Sequence, residues 1–108
     1  MILIKPGVDI RGLGTEVSFG VNILADVMWN RGANCLITAC RDGVHMEGSK
    51  HYIGDAVDVR LASRWVTSPN VDVAVLNEAR EALGLQFDLV LEKDHFHLEF
   101  DPKKDLTS

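Results

Sequence analysis

Apolar positions along this chain fall into two periods. Val17, Val21, Leu24 and Met28 recur at spacings of four, three and four, which is one stripe of a helix. Thr15 suits its N-cap, and Gly32 suits the left-handed position after its last turn. The pattern predicts a helix from Thr15 to about Arg31, its stripe given to core packing. Val75, Leu76, Ala79 and Leu83 form a second stripe. Ser68 is the expected N-cap there, Pro69 falls in the first turn where its missing N–H costs nothing, and Gly84 closes the helix.

Elsewhere the period shortens to two. Cys35 to Cys40 is a short apolar run consistent with a buried strand, and Arg41-Asp42-Gly43 turns the chain after it. From Ala56 to Leu61, Val57, Val59 and Leu61 point one way while Ala56, Asp58 and Arg60 point the other. Phe87 to Glu92 and His95 to Phe100 read as two further strands around Lys93-Asp94. In the last of them Phe96, Leu98 and Phe100 alternate with His95, His97 and Glu99, giving an apolar face and a chemical face. Residues 1–14 read as an extended entry with turn points at Gly7, Gly12 and Gly14, and residues 44–54 as a polar loop.

At 108 residues the chain is expected to be a single domain with one core. Hydrophobic content of 46% and charged content of 25% are ordinary for a soluble globular protein. A net charge of -5 argues against a nucleic-acid partner, which would call for clustered Lys and Arg. No run of ~18 apolar residues is present, so no membrane span is expected. The opening apolar run is too short for a signal peptide, so the expectation is cytoplasmic synthesis followed by retention, exit by another route, or loss of a leader.

Cys35 and Cys40 are the two cysteines. On one regular strand their odd spacing would put them on opposite faces, so free, buried thiols and a reducing compartment are expected. A cysteine-based zinc site would need a tighter pair and two more ligands nearby.

The chemistry concentrates in two segments, Ser49 to Asp58 and Glu92 to His97. Asp58 and His97 each lie on the polar face of a strand. Stacking those faces over the loop that carries His51 would bring two imidazoles and a carboxylate to one point. That set suits Zn²⁺ and leaves one coordination position open, where a bound water would have its pKa lowered to about 7. Glu92 and Asp94 compete as base. If Lys93-Asp94 is a two-residue hairpin loop, Glu92 opposes His95 and shares a face with His97, which favours Glu92. His95 could donate to a developing oxyanion, or be a surface histidine. Arg41 could clamp a substrate carboxylate or form a plain surface ion pair. Ser49 either caps the loop or touches substrate, and His45 reads as an ordinary polar histidine.

The pattern Ser-x-His-x-x-Gly-x-Ala-x-Asp, carried by Ser49, His51, Gly54, Ala56 and Asp58 and followed by His95-Phe96-His97, resembles the zinc peptidases that cut bacterial cell-wall peptides. These are D-alanyl-D-alanine carboxypeptidases and dipeptidases and phage L-alanyl-D-glutamate endopeptidases; hedgehog signaling domains share their fold and zinc site. The resemblance covers roughly residues 35–100. It implies an α+β domain with a small antiparallel sheet packed against two main helices. It also implies Zn²⁺ held by His51, Asp58 and His97, Glu92 as base, and Arg41 holding a substrate carboxylate. Many members place the carboxylate three residues before the ligand histidine, a spacing that relates Asp94 to His97 and Glu92 to His95.

The function this implies is a monomeric zinc metallopeptidase hydrolysing an amide bond in peptidoglycan stem peptides, of carboxypeptidase or endolysin type. A phage-type lysis role, with release to the cell wall, also follows from the resemblance. The alternative is a non-catalytic, hedgehog-like zinc domain with a structural or partner-binding role. A third reading leaves the histidines incidental in a generic α+β domain.

Overall fold

A computed structural model describes residues 1–41 and 56–102. The chain runs β1 (Ile2–Ile4), α1 (Thr15–Asn30), β2 (Cys35–Arg41), β3 (Ala56–Arg60), a 3-10 turn (Ala62–Arg64), α2 (Val71–Leu83), β4 (Phe87–Leu91) and β5 (His95–Phe100). Five strands form one sheet in the order β1-β2-β3-β5-β4. It is an α+β fold with a mostly antiparallel sheet. The exception is β1, which pairs with β2 in parallel. The entry segment is therefore a strand of the sheet. Three residues are too few to announce themselves by alternation, and their pairing is with a strand more than thirty positions away.

Helix α1 buries the whole stripe its spacing predicts, with Val17, Val21, Leu24 and Met28 at most 4% exposed. In α2, Val75 and Ala79 are fully buried and Leu83 nearly so, while Leu76 is only partly buried. They pack on the sheet face formed by Val57, Val59, Leu89, Phe96 and Leu98. Phe96 is fully buried; burying such a side chain is worth roughly 1.5–3 kcal/mol. All the apolar residues of β5 thus go to one side, and His95, His97 and Glu99 are left on the other.

The helix ends differ in part from expectation. Gly32 does take the left-handed conformation, at φ +86°. It closes α1 with bonds from the Gly32 N–H to the Trp29 carbonyl and from the Ala33 N–H to the Met28 carbonyl, a Schellman arrangement. Thr15, however, is the first helical residue and Gly14 is the cap; the Gly14 carbonyl accepts both the Ser18 N–H and the Ser18 hydroxyl. Asn70, not Ser68, caps α2. It sits at φ 59°, a left-handed conformation that asparagine tolerates better than most residues, and Pro69 falls just before the helix.

The β2 ladder carries a bulge. Ile37 pairs with Val59, but the next pairs are Ala39 with Asp58 and Cys40 with Val57, so Thr38 is the extra residue. The bulge reverses the facing of everything after it. Cys40 therefore joins Cys35 on the core side, which corrects the expectation that the two lie on opposite faces. Neither forms a disulfide: four residues of extended chain lie between them, roughly 16 Å, and Cys35 is buried while Cys40 is half-buried.

Candidate metal centre

Asp58 lies directly opposite His97 in the β3–β5 register, and Arg60 lies opposite His95. Opposed side chains share a face of the sheet. Asp58 Oδ1 stands 2.9 Å from His97 Nδ1 and 3.6 Å from His95 Nε2. His95 turns its other nitrogen to Asp94, Nδ1 to Oδ1, at 2.7 Å. His97 turns its other nitrogen to Glu99, Nε2 to Oε1, at 3.7 Å. Carboxylates and imidazoles therefore alternate along the face in the order Asp94, His95, Asp58, His97, Glu99. The three in the middle are half-buried.

This arrangement acts on the charges. The hydrogen bond from Asp94 raises the pKa of His95 above its usual value; partial burial opposes the rise, and the charges of Asp58, Asp94 and Glu92 add to it. The same hydrogen bond holds Asp94 below the ordinary carboxylate range.

Asp58 and His97 are a carboxylate and an imidazole, donor types that zinc takes; in this structure their 2.9 Å contact is a hydrogen bond between Oδ1 and Nδ1. The two imidazoles do not converge in the same way. Among the described residues, the one group of three whose ligand atoms all come within 4.8 Å of one another is Asp88, Glu99 and Asp101. His95 and His97 thus flank the Asp58 carboxylate from two sides. The acidic trio is a feature that spacing alone did not single out, and exposed carboxylates commonly cluster without an ion.

Thr38 prepares this face from the neighbouring strand. Its hydroxyl donates to the Asp58 backbone carbonyl at 3.3 Å, tying the bulge to the centre of the site. By reversing the strand's facing, the bulge turns Arg41 to the polar side and sets the small Ala39 across from Asp58. Ala39, Arg41, Ala56, Asp58 and His97 line one shallow hollow. The sequence did not show the bulge, because Leu36 and Ala39 are apolar as well and the run from Cys35 to Cys40 has no alternation to break.

β4 ends at Leu91, one residue short of the expected end, and Glu92 follows it at the start of the hairpin. Its backbone N–H donates to the His95 carbonyl at 2.9 Å, so Lys93-Asp94 is the two-residue loop expected. The Glu92 side chain is exposed. Its charge adds to the rise in the His95 pKa. A wider groove of about 860 Å³ crosses the edge strand β4 and shares His97 with the hollow beside Asp58; Arg80, Asp88, Val90 and Glu99 also line it. The Arg80 Nε–H donates to the Leu89 carbonyl at 2.9 Å on that edge.

His45, Ser49 and His51 lie outside the described residues, as do Gly48 and Gly54 of the predicted loop. Compared with family models, curated proteins and solved structures, the chain matches none.

Proposed function

We propose that this domain is a zinc-dependent peptidase acting on an amide bond of peptidoglycan stem peptides. The observation that carries the reading is the 2.9 Å approach of Asp58 and His97 on a half-buried sheet face. In the ligand pattern described above, those two residues and His51 would hold the metal. Bound zinc supplies Lewis acidity, which makes water and a polarised carbonyl reactive near neutral pH.

The chain's own residues divide the remaining work. Glu92 takes a proton from the attacking water and returns it to the leaving amine. His95, oriented by Asp94, donates toward the oxygen on which negative charge develops. Arg41, on the same face as Asp58 and His97, pairs with a carboxylate of the substrate. A groove of about 860 Å³ is within the size range of small-ligand sites and gives a short peptide room to lie against His97.

The test is digestion of purified peptidoglycan followed by mass spectrometry of the released fragments. New amino termini, produced by the wild-type protein and absent with Glu92→Gln, are the expected result. An unchanged fragment pattern with zinc-loaded protein would rule the peptidase reading out and leave a non-catalytic zinc domain.

A further inference from the structure

We infer that Glu99 is a positioning residue that holds the His97 ring from behind, so that Nδ1 is the nitrogen presented to a metal. This rests on the reading of His97 as a zinc ligand. A neutral imidazole carries one proton on one of its two nitrogens. His97 Nδ1 lies 2.9 Å from Asp58 Oδ1; an ionised carboxylate only accepts, so that hydrogen bond calls for the proton on Nδ1. To ligate through Nδ1 the ring must keep its proton on Nε2, and that N–H then needs an acceptor. The group facing Nε2 is the Glu99 carboxylate, with Oε1 3.7 Å away.

The strand puts Glu99 there. His97 and Glu99 are two residues apart on β5, so their side chains stand on the same face. Asp58 stands opposite His97 on β3, and Asp88 stands opposite Glu99 on β4. A carboxylate behind a ligating histidine fixes both tautomer and ring orientation, and removing such a partner typically lowers metal affinity 10–100-fold. Glu99 also belongs to the acidic trio with Asp88 and Asp101.

Zn²⁺ alone is the probe, titrated against a chelating dye, with the full chain and its variants Glu99→Ala, Glu99→Gln, Asp88→Asn and His97→Ala. Glu99→Ala should bind zinc 10–100-fold more weakly than wild type while keeping one site. Glu99→Gln, whose amide oxygen still accepts the N–H, should recover most of that loss. Nitrogen-15 NMR of the zinc-loaded wild type should show His97 as the Nε2–H tautomer. Circular dichroism of the metal-free variants separates a folding defect from a binding defect, and the glutamine variant carries the test if the alanine variant unfolds. Wild-type affinity in Glu99→Ala, with binding lost in His97→Ala, would overturn the inference while leaving the zinc site standing. Zinc lost in Asp88→Asn as fully as in His97→Ala would move the ion to the acidic trio and overturn it. No zinc bound by the wild type would overturn this inference and the reading of the site together.

Discussion

Ala39 and Asp58 are paired residues of adjacent strands, brought opposite each other by the bulge at Thr38. Ala39, Arg41 and Asp58 line one tight crevice too small to admit a water molecule, and Arg41 reaches it only because the bulge reverses the strand's facing. A larger side chain at position 39 would crowd the Asp58 carboxylate on the face away from the core. Ala39→Leu is therefore expected to lower peptide hydrolysis at least about tenfold while changing stability by less than roughly 1 kcal/mol, since surface substitutions typically cost about 0.5 kcal/mol. Steady-state kinetics beside a thermal melt measures both.

Two carboxylates compete for the proton-transfer role. Asp94 is engaged with His95 Nδ1 at 2.7 Å, whereas the exposed Glu92 is not held in this way. Glu92→Gln is expected to retain zinc and lose about 10²–10⁴-fold in turnover. Asp94→Asn should keep measurable turnover. The reverse pattern would assign the base to Asp94.

The Asp94–His95 pair predicts a pH dependence of the metal-free protein. The folded-state pKa of His95 is raised, so its contribution to stability is fully present below the unfolded value of 6.5 and is lost as pH rises through the folded value. The folded-state pKa of Asp94 is lowered, so its contribution is present above 3.8 and is lost as pH falls through the folded value. The pair is thus strongest between those limits. Nuclear magnetic resonance titration of the imidazole should show the His95 pKa falling in Asp94→Asn. No change in that variant would remove the hydrogen bond as the main cause.

Cys35 offers a check on the core. Burial pushes its thiol up to about 12, and the residue is fully enclosed. The thiolate is the reactive form. Cys35 should therefore resist a thiol reagent at pH 8 in the folded protein and react at the rate of global unfolding. Fast native-state labelling of Cys35 would contradict the packing described.

Much of the fold was legible because burial here follows simple periods. The stripes of α1 and α2 and the alternation of β3 and β5 needed only spacing, and the β4–β5 hairpin followed from two strands around Lys93-Asp94. What escaped were features set by backbone rather than by pattern. Thr15 and Ser68 have the right side chains for caps, yet Gly14 and Asn70 occupy those positions. The three-residue β1 gains its structure by pairing with a strand far along the chain. In the candidate site, Asp58 and His97 were legible as polar-face residues of neighbouring strands. Glu99 obeys the same alternation, but its approach to His97 Nε2 takes meaning only once Asp58 is known to occupy Nδ1.

Metal analysis of the protein purified without a histidine tag bears most directly on the pairing of Asp58 and His97. One equivalent of zinc in the wild type, with none retained by Asp58→Ala or His97→Ala in a still-folded protein, is the expected result. Zinc retained undiminished by both variants, or absent from the wild type after incubation with the metal, would contradict it.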